Sequence, residues 1–287
     1  MAMTYTNTVN TAVNTLNKDL FVPEVYGALT REVLKGKVIV SQFAEHDATL
    51  QGTPGETINV MEWRYIGDAK DHTPGEPMDT TTLKQRMANA TVKMVAAPGI
   101  EVWDTDDLVA LGNQINEGAE QQAIAMARKL DDDCIDELLT ASTRAILAED
   151  GKVTFDEMIE AESLFGDDFN VEDVDAILIH SKYKASFIKM EGFVSKDLTY
   201  VADGAGIQRN NVIGSFMGVP VIVTDRLTRN GKHPIIILKK GALKVFVKEA
   251  PFAESERDAS RRVTRIYLSD YYAVKLVKDD AVVVLEK

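Results

Sequence analysis

The stretch that most restricts how this chain can fold is residues 49–97. "ETINVMEWRYI" sets Ile58, Val60, Trp63 and Tyr65 in near strand period, and "LKQRMANATVKMVA" gives a second strand-like run. Between them lies "GDAKDHTPGEPMDTTT", a tip rich in Gly, Pro and Asp and poor in apolar side chains. Two strands and a long polar tip predict a ribbon that leaves the body of its domain. A two-stranded ribbon is marginal in water by itself, so this one needs another surface to lie on.

The longest periodic segment follows. In "DTDDLVALGNQINEGAEQQAIAMARKLDDDCIDELLTA" (104–141), apolar or small residues recur every three or four positions: Leu108, Leu111, Ile115, Ala119, Gln122/Ala123, Met126, Leu130, Cys134 and Leu138. The pattern predicts one helix of roughly 50 Å at the usual rise. Thr105 or Asp104 would cap it, with Asp106 and Asp107 favourable at its positive end. Gly112 and Gly118 weaken it and mark close packing. Upstream, "FVPEVYGALTREVLKGKVIVSQF" (21–43) opens extended at Val-Pro and continues as a helix with Val25, Leu29 and Val33 on one face. The first 20 residues are polar and read as a flexible arm.

Downstream, "TFDEMIEAESLFG" (154–166) has Thr154 and Glu157 in capping-box spacing and Gly166 as its stop. "DAILIH" (175–180) predicts a buried strand and "SKYKASFIKM" (181–190) a helix. In "VIGSFMGVPVIVTDRL" (212–227) a Gly-Val-Pro turn precedes the apolar strand Val221–Val223, which Thr224-Asp225-Arg226 ends. The C-terminal part is a series of strands: "PIIILKK", "LKVFVKEA", "RRVTRIYLSDYYAVKLV" and "DAVVVLE".

Composition narrows the function. The net charge of −13 argues against a dedicated DNA-binding or membrane-surface protein. Residues 101–175 alone carry 22 acidic and 4 basic side chains, net −18, which leaves +5 for the remainder. The segment reads as a solvated acidic helix face, or as one that docks on a basic surface of another copy. The single Cys134 cannot form an internal disulfide and suits a reducing compartment. No signal peptide and no membrane-length apolar run is visible.

Candidate chemistry is sparse. "DGAGIQRN" (203–210) lacks the third glycine of a dinucleotide fingerprint and its strand–helix setting. Ser215 is outside Gly-x-Ser-x-Gly spacing. His46, His72, His180 and His233 stand apart in sequence, and His180 reads as a cap at a strand end. "DDD" (131–133) resembles a metal cluster in composition only; adjacent helix residues diverge, so it reads as a solvated face. No catalytic, cofactor-binding or metal residue is expected.

The order of these pieces resembles the major capsid proteins of tailed double-stranded DNA bacteriophages, whose fold is shared with encapsulins. "LFVPEVYGALTREVL" looks like the start of the arm, and the ribbon looks like the extended loop that lies on a neighbouring subunit. "WDTDDLVAL…QQAIAMARKLDDDCIDELL" is similar to the spine helix, and "ILIHSKYKASFIK…IGSFMGVPVIVTDRL" to the axial domain. The resemblance implies an α+β fold with an arm (1–48), an extended loop (49–97), a peripheral domain with spine helix (98–150 and 234–287) and an inserted axial domain (151–233). It implies a non-enzymatic subunit that assembles with itself into pentamers and hexamers of an icosahedral virion shell. It also implies a separate scaffolding protein, a portal, and packaged double-stranded DNA held without sequence-specific contacts. No membrane and no cofactor are implied. Candidate contacts between copies are Trp63, Lys70, Lys84, Asp131, Asp132, Arg261, Arg262 and Arg265. Some such shells weld their subunits by a lysine–asparagine isopeptide bond. Lys70 and Lys84 lie on the ribbon, but residues 231–287 contain no asparagine, and Asp270 or Asp279 could replace it only when protonated. Two other readings stay open: an encapsulin-type shell around a cargo enzyme, and a soluble enzyme using carboxylates such as Asp131 with Glu137.

Overall fold

The computed structural model describes residues 23–51, 55–63, 66–67, 69, 71–72, 78, 80–105, 114–166, 170–190, 193–195 and 212–287. The expected arm over 1–20, Leu108, Leu111, Gly112 and the "DGAGIQRN" loop lie outside these residues. Two compact units divide the chain. One takes in Met1–Lys37, Ala96–Met126 and Pro251–Asp270, the other Val38–Val95, Ala127–Ala250 and Tyr271–Lys287.

In the first unit, α1 (Pro23–Lys37) starts on a proline, whose fixed φ and missing N–H suit a first helical turn. Lys35 and Lys37 in its last turn oppose the negative helix end. Its buried positions are Tyr26, Gly27 and Thr30, while Leu29 and Val33 are only half-buried. The apolar face expected from Val25, Leu29 and Val33 is thus rotated, and polar pairing explains the shift. Thr30 Oγ1 donates to the Tyr26 carbonyl (2.8 Å) and Tyr26 Oη donates to Gln122 Oε1 (2.7 Å). Burial raises the Tyr26 pKa to about 12, so the hydroxyl keeps its proton.

The helix α2 (Gln114–Leu138) is the spine. The predicted stripe is buried at Ala119, Gln122, Ala123, Met126, Leu130, Cys134 and Leu138. Gln122 is tolerated there because its amide donates to the carbonyls of Pro98 (2.9 Å) and Ile266 (3.2 Å). Gly118 does mark a close approach, since a Cβ there would lie 2.8 Å from Ile100 Cδ1.

Strands β1 (Glu45–Asp47), β2 (Thr57–Trp63), β3 (Gln85–Thr91), β4 (Lys93–Ala96) and β5 (Ile100–Trp103) precede the spine. β6 (Arg144–Ile146), β7 (Val174–Ile179), β8 (Phe193–Ser195), β9 (Val212–Phe216) and β10 (Val219–Val223) follow it. The chain ends in β11 (Ile235–Lys239), β12 (Leu243–Asp258), β13 (Val263–Leu276) and β14 (Val282–Glu286). A five-stranded sheet has the order β1-β12-β13-β4, with β5 also on β13. β12 runs straight through Pro251, where the sequence suggested an end. Its β1 partner covers only Lys244–Phe246, and among the described residues no other strand pairs with that edge of β12, so a missing N–H at Pro251 costs no ladder bond there.

The second unit is built on a seven-stranded sheet, β6-β14-β11-β7-β10-β9-β8. This sheet draws strands from outside 151–233 as well as from within it. Its core face joins Ile177, Ile179, Val221, Ile235, Ile237, Val283 and Leu285. Two helices cover that face, α3 (Phe155–Ser163) with Met158 and Ala161, and α4 (Lys184–Lys189) with Phe187. The α3 capping box forms as the sequence predicts: Thr154 Oγ1 accepts from Glu157 N, and the Glu157 carboxylate accepts from Thr154 N. The turn between β9 and β10 is Met217-Gly218, both with positive φ (49° and 92°), a two-residue hairpin geometry. Val219 and Pro220 therefore already belong to the strand, one residue pair earlier than the Gly-Val-Pro reading placed it.

The ribbon forms as predicted, with β2 and β3 antiparallel from Thr57↔Thr91 to Trp63↔Gln85. Ile58, Val60 and Val92 pack against a small cluster of Leu50, Ala90, Phe246 and Ala273. The opposite face carries the cross-strand pair Met61↔Met87, each 54% exposed.

Gly118→Leu should destabilise the first unit by about 1–3 kcal/mol, since overpacking forces Ile100 to move. The check is a lower melting temperature than in the parent; an unchanged melt would mean the Ile100 contact is loose.

Candidate functional site

The most densely tied polar site is the Asp131-Asp132-Asp133 turn of α2, in the second unit. A helix rotates about 100° per residue, so three neighbours point three ways. Asp131 accepts backbone N–H bonds from Ile39 (2.9 Å), Val40 (3.0 Å) and Ser41 (2.9 Å). Asp132 meets Arg226 (2.7 Å), and Arg229 reaches both Asp132 (3.8 Å) and Asp136. Asp133 meets Lys93 (2.6 Å), Lys129 (2.9 Å) and the Tyr272 hydroxyl (2.7 Å).

The expectation of a solvated acidic face is corrected here: Asp131 and Asp133 are 3% and 7% exposed. Burial is the largest influence on Asp131 and pushes its pKa up, against the pull of the three backbone donors. For Asp133 burial acts in the same direction, but hydrogen bonds from Lys93, Lys129 and Tyr272 outweigh it and hold the pKa below the usual carboxylate value. The Thr224-Asp225-Arg226 stop gains a purpose, since Arg226 fastens the end of β10 to the spine. Arg229, Lys93 and Tyr272 were not singled out from sequence, and Arg226 only as part of a strand stop. Arg226 and Tyr272 lie 94 and 139 residues from their partners, and no local pattern reports such pairs.

The remaining candidates scatter. Trp63 pairs through its backbone with Gln85, its side chain lying outside the described residues, as does Lys70 entirely. Lys84 is exposed just before β3. Arg265 pairs with Glu101 (2.8 Å) inside the first unit. Arg261 and Arg262 are exposed in the β12–β13 turn, Arg261 only 3.8 Å from Asp258 and Arg262 with φ 53°. Asp131 and Glu137, the pair considered for catalysis, are both engaged, Glu137 by Lys275 and by Leu276 N.

Two of the separate histidines come together. The His180 and His233 rings lie 4.4 Å apart, and His233 Nδ1 is 3.1 Å from Asp150. His180 Nδ1 accepts from Lys182 N (3.2 Å), the capping role expected of it. Burial, reinforced by the His233 and Lys182 charges, lowers the His180 pKa, so the ring is neutral when it accepts. Burial also raises the Cys134 thiol well above its ordinary value, which makes it an inert core residue. Among the described residues, no group of three or more His, Cys, Asp or Glu is arranged to hold a metal ion. No helix among them is long and apolar enough to cross a membrane.

A long spine helix, a two-stranded ribbon and a sheet covered by two short helices define the shell-subunit fold of phage capsids and encapsulins. The chain in the capsid structure of Cyanophage P-SCSP1u matches over 87% of this chain and 88% of its own, with a TM-score of 0.65 at 12% identity. The chain of the holo-SrpI encapsulin complex from Synechococcus elongatus PCC 7942 matches over 86% of each, with a TM-score of 0.62 at 13% identity. The major capsid protein of Staphylococcus phage phiMR11 is 29% identical over 275 residues, 95% of this chain and 96% of its own. The phage capsid protein family profile covers residues 85–285, and the chain belongs to that family. It is a structural subunit of a phage capsid shell and so a component of the virion.

Because the Asp133 pKa is lowered on folding, its pairing stabilises the protein above the unfolded carboxylate pKa and is lost as pH falls through the folded value. Stability should therefore drop below roughly pH 4, near the unfolded aspartate pKa. Asp133→Asn should be less stable than the parent at pH 7 and show a shallower acid slope in denaturant titrations. Parallel pH profiles for the two would contradict this.

Proposed function

We propose that copies of this chain join into pentamers and hexamers that close into an icosahedral shell around packaged double-stranded DNA. The single observation carrying this is the ribbon. Its base packs on the cluster around Phe246, while its outer face holds Met61 and Met87 in the open. Methionine is unbranched and adapts to irregular surfaces, which suits a strand pair that meets neighbours at slightly different angles. In this reading the arm is 1–48, the extended loop 49–97, the peripheral domain 98–150 and 234–287, and the axial domain 151–233. The exposed Arg261 and Arg262, with Trp63, Lys70 and Lys84 of the ribbon, meet other copies. Scaffolding and portal are separate proteins, and DNA is confined without base readout, in keeping with the net charge of −13. The role carries no catalytic step, since Asp131 and Glu137 are tied within their own chain.

Replacing residues 67–80 by a short Gly-Ser turn should leave the melting behaviour of the body intact and abolish shells in sedimentation and electron microscopy. Normal shells from that variant would refute the ribbon's role.

The shell should also be free of covalent cross-links. Burial acts to raise the Asp279 pKa, but hydrogen bonds from Ser142 and Arg86 keep it below the usual carboxylate value. An ionised carboxylate does not accept attack by an amine. Mature particles boiled in detergent should run as one band at monomer mass; a covalent ladder would contradict this.

A further inference from the structure

The two helices on the seven-stranded sheet have opposite charge. α3, "FDEMIEAES", holds four carboxylates and no cation. The segment 181–189, "SKYKASFIK", holds three lysines and no anion. α3 packs against β6 and β14 at one edge of the sheet, and α4 against β8 at the other. On α3 the exposed face sets Phe155 (37%) and Ile159 (38%) one turn apart, beside Asp156 and Glu160, also one turn apart. On α4 the exposed face sets Ile188 (53%) between Lys184 and Lys189. None of Asp156, Glu160, Lys184 and Lys189 forms an ion pair among the described residues. Lys182, by contrast, is engaged at His233 and Asp150.

We propose that the acidic, apolar face of α3 on one copy docks on the basic, apolar face of α4 on the next copy, and that this contact closes the ring. The proposal rests on the shell-subunit reading and adds which surfaces meet. Each face repels a second copy of itself, so a two-fold contact through either one is disfavoured. Two different complementary patches on one chain give a head-to-tail contact, which repeats into a ring when the rotation closes. The apolar side chains supply the burial that drives contact. The four charges are individually weak and screened by salt, and they set register and direction.

The test is charge reversal, read by sedimentation velocity and negative-stain microscopy, with circular dichroism melts as the check on folding. Asp156→Lys with Glu160→Lys should lose rings, and so should Lys184→Glu with Lys189→Glu. The chain carrying all four changes should regain them, because the contact is then inverted and again complementary. Mixing the two double variants should give rings with an even number of copies only. Parent-like rings from either double variant, or a folded four-fold variant that stays unassembled, overturn the proposal. Where a reversed variant melts below the parent, Asp156→Asn with Glu160→Gln is read instead. It should need a several-fold higher protein concentration to form rings, and an unchanged concentration dependence overturns the proposal. A parent chain that remains monomeric with and without its scaffold overturns the shell-subunit reading and this proposal together.

Discussion

Asp131, Asp132 and Asp133 occupy less than one turn of the spine helix and tether three separate parts of the second unit. Asp131 fixes the backbone that follows α1, Asp132 the hairpin after β10, and Asp133 the strand that returns from the ribbon together with Tyr272 of β13. A buried carboxylate is costly unless donors surround it. Here six donors from outside α2 reach the three carboxylates, Ile39, Val40 and Ser41 N, Arg226, Lys93 and Tyr272, so unfavourable desolvation is converted into specific placement. Removing one donor would leave a buried charge short of partners, which costs more than the bond itself contributes. The sheet, the ribbon base and the turn at Arg226 all take their position from this stretch of helix.

That rigidity matters because a shell is held by many weak contacts. No single exposed pair needs to be strong, since repetition around a closed shell multiplies a small advantage. What each copy must offer is surfaces in fixed relation to one another. The ribbon base is seated on Leu50, Ala90 and Phe246, and its outer methionines face away from that seat. The two oppositely charged helices are likewise fixed to one sheet through Met158, Ala161 and Phe187.

Local chemistry was legible in the sequence where a short pattern has one physical solution. The Thr154–Glu157 box, the His180 cap, the β7 strand and the close approach at Gly118 are of that kind. The spine was legible because its period persists over seven turns. Three features were hidden for physical reasons. β12 passes through Pro251 because its neighbour β1 stops short, a fact about pairing and not about the proline. The buried face of α1 was hidden because Tyr26 and Thr30 are buried through polar pairing, which an apolar period does not report. The aspartate run looked like a solvated face because, apart from Lys129 one turn away, its partners lie far off in sequence, at 39–41, 93, 226 and 272. Of the expected contacts between copies, Asp131, Asp132 and Arg265 also have partners within their own chain.

Amide hydrogen exchange on Asp131→Asn and Asp132→Asn tests the three-way tether most directly. If each carboxylate holds its own segment, Asp131→Asn speeds exchange at Ile39, Val40 and Ser41 by about tenfold or more, the loss of a charge-assisted bond, and leaves residues 226–233 unchanged. Asp132→Asn should do the reverse. Uniform acceleration across the whole second unit in both variants, or protection at 39–41 that survives Asp131→Asn, would contradict the account.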